Sequence, residues 1–141
     1  MDWKEEYCIG VPKIDAEHRQ MVRIVTKIDH IFDEKDTQRN RRTCIEALKY
    51  LKNYTLEHFS HEEAYQISIG YEGYEAHKKV HDDFREYVMQ QENVLAQKDY
   101  SPESVKEFIK KLTEWLVNHI LNMDQAIVNK KPQSGVMHSY Q

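Results

Sequence analysis

Residues 101–124 read SPESVKEFIKKLTEWLVNHILNMD, and they carry the clearest helix signal in the chain. Ser101 is a favoured N-cap residue, Pro102 suits the first helical position, and Glu103 places a negative charge in the first turn. Apolar residues then recur every three or four positions, which predicts one inward-facing stripe. This stripe contains Val105, Phe108, Leu112, Trp115, His119 and Met123. A histidine therefore continues an apolar row that faces the core.

Three earlier segments repeat this periodicity, and loops separate them. The first helix is expected to begin with Asp15 as its N-cap, after an extended N-terminal segment. The polar interval 33–42 predicts a turn, Gly70 and Gly73 predict a loop, and residues 98–100 predict the next break. The inward stripes are His18, Met21, Val25, Ile28 and Phe32, then Cys44, Leu48, Leu51, Thr55, His58 and Glu62, then His77, His81, Phe84, Val88 and Leu95.

Four amphipathic helices joined by short loops predict an all-α fold, an up-down-up-down four-helix bundle with an extended N-terminal segment. The 141 residues fit one domain, which is expected to span residues 1–129. Residues 130–141 lose the helical periodicity and contain proline, serine and glycine. We expect this segment to be a flexible C-terminal tail or the start of a linker.

Composition and charge exclude several classes of function. The net charge of -4 and the mixing of basic with acidic residues give no surface for nucleic acid. The sequence contains no apolar run of about 18 residues that would predict a membrane span. It also has no charged start followed by an apolar stretch, the pattern that predicts a signal peptide. A cytoplasmic protein is therefore expected. Cys8 and Cys44 are isolated thiols, which we expect to be reduced and structural.

Seven side chains that can bind metal fall at helical spacings along the chain: His18, His58, Glu62, His77, His81, His119 and Asp124. Residues four apart lie about 40° apart around a helix, so His58 with Glu62, like the histidine pair of the third helix, can meet a common centre. His119 and Asp124 are five apart, which places them about 140° apart on an ideal helix. Either Asp124 reaches round from a flank, or the helix contains a π-type irregularity there.

The donor set narrows the kind of metal site. Imidazole and carboxylate suit iron, manganese, zinc and copper, but seven ligands exceed the four of a single zinc site. Two metals are the natural interpretation, with two bridging carboxylates and five imidazoles divided three and two. A solvent-derived oxygen that bridges the pair would saturate one metal and leave an open position on the other. An open position in a largely apolar core suits a small neutral gas.

Other polar residues receive simpler interpretations. The seven side chains that can bind metal are different, because burying all of them without metal would leave polar atoms unsatisfied, which is strongly unfavourable. His30 and His61 lie off the inward stripes and His138 lies in the tail, so all three are expected to be solvated. Glu63 is interpreted as a carboxylate that supports a ligand or lies on the surface.

The combination and order of these residues resemble the hemerythrins, in particular single-domain bacterial hemerythrins, over about residues 3–128. The motifs that carry the resemblance are Trp3, Tyr7, Gly10, Ile14, Asp15 and His18, then His58-Phe59 with Glu62-Glu63, then His77 with His81, and finally Trp115 before His119-Ile120 and Asp124. The five-residue step from histidine to aspartate that is typical of the family is present.

The resemblance implies two iron ions, Fe2+ or Fe3+, joined by an oxo or hydroxo bridge. By the same resemblance, Glu62 and Asp124 are the bridging carboxylates. The remaining ligands would be His77, His81 and His119 on the saturated iron, and His18 and His58 on the oxygen-binding iron.

The oxygen pocket is expected to be lined by Val117, Trp115 and Phe59. Val117 stands where relatives carry an apolar residue beside the bound oxygen. Two departures from the family pattern lie near the end of the second helix. Tyr71-Glu72 replaces the Tyr-Pro of many bacterial members, and Ala64-Tyr65-Gln66 replaces an apolar stretch after Glu63.

The function that follows is reversible binding of dioxygen for storage, delivery or sensing, by a protein that is not an enzyme. Di-iron oxygenases use mainly Glu and Glu-x-x-His motifs, which do not occur at the expected places here. Two alternatives stay open. One is an oxygen-reactive or redox-reactive signalling domain with a signalling or electron-transfer protein as its partner. The other is a peroxidase or a nitric-oxide-handling enzyme.

Overall fold

Four long helices dominate the computed structural model, which describes residues 2–31, 33 and 35–129. They are α1 (Pro12–Ile31), α2 (Gln38–Ser68), α3 (Tyr74–Gln97) and α4 (Pro102–His119). A π-helical segment, Ile120–Asp124, continues from α4 into a short helix, α5 (Gln125–Asn129). The described ranges contain no strand. The predicted tail at 130–141, with His138, and the stripe residue Phe32 lie outside them.

The helices form the predicted all-α, up-down-up-down bundle. Helix α1 packs on α2 and α4, and α3 packs on the same two helices. The connections at 69–73 and 98–101 are short, so consecutive helices run antiparallel. Within the described ranges, no helix has both the length and the apolar character needed to cross a membrane.

Side-chain caps explain where α2 and α4 begin. The Ser104 N–H donates to the hydroxyl of Ser101 at 3.3 Å, so the predicted N-cap of α4 is confirmed. The Asn40 N–H donates to Thr37 Oγ1 at 3.1 Å, and α2 therefore begins at Gln38. The predicted turn over 33–42 was wrong in its second half, because a cap at residue 37 lets polar residues form the first helical turn.

The prediction that α1 begins with Asp15 as its N-cap was also wrong. Helix α1 begins at Pro12, a residue whose fixed φ and missing N–H suit the first helical position. The Asp15 carboxylate instead accepts hydrogen bonds from the backbone N–H groups of Ile9 (2.8 Å) and Gly10 (3.1 Å). Asp15 therefore fixes how the N-terminal segment enters the helix.

The N-terminal segment is extended apart from one 3-10 turn, Glu5–Tyr7. The Gln125 side-chain amide donates to the backbone carbonyls of Glu6 (2.9 Å) and Cys8 (3.0 Å). These bonds tie the segment to the start of α5, just after the π-helical segment. The N-terminal segment thus crosses the end of the bundle where Asp124 lies.

The core changes character along the bundle axis. One half, which we call the apolar half, is built from buried hydrophobic side chains: Ile28, Cys44, Leu48, Leu51, Leu95, Val105, Phe108 and Leu112. Phe59, Phe84 and Trp115 form an aromatic layer, in which the Phe84 and Trp115 rings stack with centroids 3.8 Å apart. The other half contains the predicted metal ligands.

Both cysteines are free thiols. Cys44 is fully buried in the apolar half, and burial raises its pKa to about 11. Cys8 is partly exposed, and an Arg19 N–H donates to its sulfur at 3.4 Å. Burial and the neighbouring carboxylates of Asp15 and Glu5 also raise the pKa of the Cys8 thiol, so the reactive thiolate is disfavoured at both cysteines.

Candidate metal centre

The π-helical segment is what turns Asp124 inward. Of the two arrangements left open by the sequence, the structure has the irregular helix, because Ile120–Asp124 is wound with the wider π repeat. Asp124 is fully buried, and its Oδ1 lies 3.1 Å from His119 Nε2. Met123, which was predicted to face inward, is partly exposed, so that stripe position was wrong. The wider π-helical turn rotates Asp124 into the core position that a regular α-helix would give to Met123.

Three histidines form the first ligand group. The Nε2 atom of His119 lies 2.9 Å from that of His77 and 3.1 Å from that of His81. Glu62 Oε1 approaches His77 Nε2 at 2.9 Å and His81 Nε2 at 3.2 Å. Asp124 Oδ1 completes the group at 3.1 Å from His77 Nε2. One ligand atom from each of these five residues lies within 4.8 Å of the others.

Two histidines form the second ligand group, on α1 and α2. His18 Nε2 lies 3.2 Å from Asp124 Oδ2 and 3.8 Å from Glu62 Oε2. His58 Nε2 lies 3.5 Å from the same Glu62 oxygen. The ligand atoms of these four residues are also within 4.8 Å of one another. Every helix of the bundle therefore contributes to one or both groups.

The two carboxylates belong to both groups, and each divides its oxygens between them. Glu62 directs Oε1 toward His77 and Oε2 toward His58. Asp124 directs Oδ1 toward His119 and Oδ2 toward His18. This is the arrangement that a carboxylate needs to bridge two cations.

The residues present fit a pair of metal ions. Among the described residues, the buried oxygens of Glu62 and Asp124 and both ring nitrogens of His18 make no hydrogen bond. Three imidazole Nε2 atoms that converge at about 3 Å cannot all be paired by protons, whereas a cation accepts all three lone pairs. The nitrogen and oxygen donors are those that iron, manganese and zinc share.

The electrostatics also favour bound positive charge. Burial lowers the pKa of His77, but the Asp124 and Glu62 carboxylates outweigh it and raise the pKa to about 10. Burial and Glu62 oppose ionisation of Asp124, yet the surrounding histidines hold its pKa below the ordinary value. Two buried carboxylates thus attract cations, and metal binding would displace protons from the imidazoles.

Outer carboxylates orient two of the ligand histidines. Glu63 Oε2 lies 2.7 Å from His81 Nδ1 and 3.0 Å from Arg85. Glu17 Oε1 lies 2.9 Å from His58 Nδ1. A proton held on Nδ1 leaves the Nε2 lone pair directed at the metal position. The prediction for Glu63 as a supporting carboxylate is confirmed.

Glu17 is a functional residue that the sequence analysis missed. Its contact with His58 joins residues 41 apart on two helices, so spacing along one helix contains no signal for it. Glu17 Oε2 also binds His61 Nδ1 at 2.6 Å. His61, expected to be solvated, is therefore only 36% exposed, whereas His30 is 67% exposed beside Asp33 as predicted.

Aromatic rings cover the three-histidine group. Phe59 stacks on His81 with ring centroids 4.0 Å apart, and Trp115 stacks on His119 with centroids 4.5 Å apart. Val117 is partly buried and lines an outer depression with Tyr7 and other residues of α1 and α4. Phe59 and Trp115, two of the three predicted pocket residues, therefore stack on histidines of the three-histidine group.

Comparisons with known proteins agree with this geometry. The family model described as "Hemerythrin HHE cation binding domain" matches residues 9–130. A bacteriohemerythrin of Clostridium acetobutylicum is 30% identical over 128 residues, which cover 90% of this chain and 98% of that protein. A bacteriohemerythrin of Pseudomonas aeruginosa is 32% identical over 128 residues, covering 90% of this chain and 78% of that protein.

A myohemerythrin is similar to the chain to about the same degree. The myohemerythrin of Theromyzon tessulatum is 32% identical over 122 residues, which cover 86% of each chain. The matched region contains all seven predicted ligands and both outer glutamates. The chain therefore belongs to the hemerythrin family.

Proposed function

We propose that this hemerythrin binds dioxygen reversibly, for storage, delivery or sensing, and that binding rather than catalysis is its role. Membership of the family makes the chain a non-heme di-iron, oxygen-binding protein. We further propose that the metals are two irons, Fe2+ or Fe3+, joined by an oxo or hydroxo bridge.

One observation carries the ligand assignment. Glu62 and Asp124 each turn one oxygen to the three-histidine group and the other to the two-histidine group. This supports both residues as bridging carboxylates. It also supports His77, His81 and His119 on one iron and His18 and His58 on the other.

The unequal division of histidines supports an open position on one side. If two irons were held here, the group with three imidazoles would supply one more protein ligand than the group with two, so the iron beside His18 and His58 would keep a position free for dioxygen. The iron pair, when bound, supplies that position and the electrons that reversible oxygen binding requires. His18 and His58 therefore border the proposed oxygen site.

The surrounding side chains serve to keep water away. Phe59 and Trp115 cover ligand rings and are almost completely buried. Val117, on α4, is proposed as a further wall of the oxygen pocket. A dry, apolar wall slows loss of electrons to solvent and so favours release of dioxygen unchanged.

A contact at the surface favours one alternative. The partly exposed His61 and the ligand His58 share the carboxylate of Glu17, at 2.6 and 2.9 Å. This chain of hydrogen bonds leads from solvent to the two-histidine group, as a peroxidase or a nitric-oxide-handling enzyme would need for proton delivery. A signalling domain with a protein partner would use the same centre.

Two free thiols support a reducing compartment, and we propose the cytoplasm.

The test is to load the chain with ferrous iron without oxygen, count the metal, admit air, and follow the visible absorption band through cycles of oxygen removal. Two irons per chain and a band that reverses over several cycles are the expected results. Immediate irreversible conversion to the diferric form would contradict reversible binding and favour a redox sensor or an enzyme. Turnover of peroxide or nitric oxide, measured on the same sample, separates those two.

A further inference from the structure

Gln66 is a buried polar residue that the proposed function does not use. It lies on α2 one turn after Glu62, so the two side chains share a face of the helix. Gln66 is fully buried. In the part of the chain that the structure describes, neither its amide nitrogen nor its amide oxygen has a hydrogen-bond partner. A buried amide without a partner is unfavourable, so a nearby group should satisfy it.

His77 also has a buried polar atom without a partner. Its Nε2 faces Glu62 and the three-histidine group, while its Nδ1 is buried and, among the described residues, has no partner. The other ligand histidine of α3, His81, gives its Nδ1 to Glu63, and His58 gives its Nδ1 to Glu17. His77 thus differs from both of these ligands in lacking an outer acceptor.

The register of α2 against α3 brings Gln66 to His77. Three contacts step along this antiparallel pair: Lys52 with Glu92, Phe59 with Phe84, and Glu63 with His81. The next inward position on α2 after Glu63 is Gln66, and the preceding inward position on α3 before His81 is His77. Continuing the register therefore places Gln66 and His77 at facing inward positions of the two helices.

We propose that Gln66 is a positioning residue for His77, whose Nδ1–H donates to one bound water that in turn donates to Gln66 Oε1. The inference rests on the metal centre of the proposed function. A hydrogen bond from an imidazole N–H to a neutral amide is weaker than one to a carboxylate, and it makes the imidazole less electron-rich. We therefore expect His77 to donate less electron density to a bound metal than His81, whose Nδ1–H is held by Glu63. Gln66 thereby sets the electron density on the three-histidine iron.

The test compares Gln66→Met, which removes the acceptor at similar volume, with Gln66→Glu, which strengthens it. Gln90→Met is the matched control, because Gln90 is exposed on α3. Iron affinity and the midpoint potential of the iron-loaded protein are measured without oxygen. We expect about tenfold weaker iron binding and a higher potential for Gln66→Met. Gln66→Glu should keep at least the wild-type iron affinity and place the potential below that of the wild type.

A merely structural role for Gln66 would not split the two potentials in opposite directions. Shifts of the same sign, or an unchanged affinity and potential in Gln66→Met, would overturn the proposal. If Gln66→Met does not fold, Gln66→Glu decides alone, because a potential at or above the wild-type value contradicts the proposal. A wild type without two irons overturns this inference together with the proposed function, whereas failure to release oxygen affects only the latter.

Discussion

The two halves of the bundle are built on the same helices but stabilised in different ways. Along α2 the inward row passes from Cys44, Leu48 and Leu51 to His58 and Glu62. In α4 a similar change runs from apolar residues through the aromatic Trp115 to His119. The apolar half gains stability from removing hydrocarbon from water. The ligand half buries carboxylates and imidazoles, which is favourable only if something satisfies them.

This contrast teaches how a helical bundle can tolerate a polar interior. The apolar half is expected to fold without metal, and its packing fixes where each ligand helix lies. The ligand half is then held open for cations by histidines and carboxylates that approach one another at about 3 Å. Changes in the two halves should therefore have separable effects on stability and on metal binding.

The largest effect is expected for His119→Ala in the ligand half. His119 Nε2 lies within about 3 Å of two other ligand histidines and of Asp124, and its ring supports Trp115. Its loss removes a ligand and leaves a cavity, so stable binding of two irons should be abolished. Iron per chain after gel filtration measures this. His30→Ala, at an exposed histidine, should keep the wild-type count, and two irons in His119→Ala would disprove the assignment.

Leu112→Ala tests the apolar half. Leu112 is 4% exposed and belongs to the apolar core, so its truncation should lower the free energy of unfolding by about 2–5 kcal/mol. Because it lies away from the ligands, we expect the same loss in the metal-free and iron-loaded protein, with two irons still bound. Denaturant unfolding of both forms provides the measurement. A stability loss confined to the loaded form would contradict the separation of the two halves.

Glu63→Gln is expected to act on one ligand without unfolding the bundle. The change removes the charge that orients His81 Nδ1 at 2.7 Å, which should weaken iron binding about tenfold. Competition with a chelator measures the affinity. Asp82→Asn is the matched control, since Asp82 also binds Arg85, at 2.7 Å, but is exposed. Equal affinities in the two variants would show that Arg85, rather than His81, is what Glu63 serves.

The smallest effect is expected for Val117→Ala at the proposed pocket wall. Both irons should stay bound, while autoxidation of the oxygen-loaded protein should become faster because the smaller side chain admits water. The decay of the visible band in air measures the rate. Val94→Ala is the control, because Val94 is exposed near the C-terminal end of α3, away from the ligand histidines of that helix. A rate unchanged from the wild type would remove Val117 from the pocket.

Much of this architecture could be predicted because it depends on local periodicity. The N-cap at Ser101 follows from the residue types at the start of α4. The inward positions of the five histidines follow from the spacing of apolar residues three and four apart. The start of α1 was missed because Asp15 can bind the preceding backbone from inside the first turn. Glu17 was missed because its partners lie on another helix, and only the three-dimensional packing of α1 on α2 brings them together.

The central claim is that Glu62 and Asp124 bridge two metals between unequal histidine groups. Anomalous diffraction at the iron absorption edge, from crystals of the iron-loaded protein, tests it most directly. Two peaks about 3.5 Å apart are expected, one beside His77, His81 and His119 and one beside His18 and His58, with the carboxylates between them. A single peak, or two peaks that do not share Glu62 and Asp124, would contradict it.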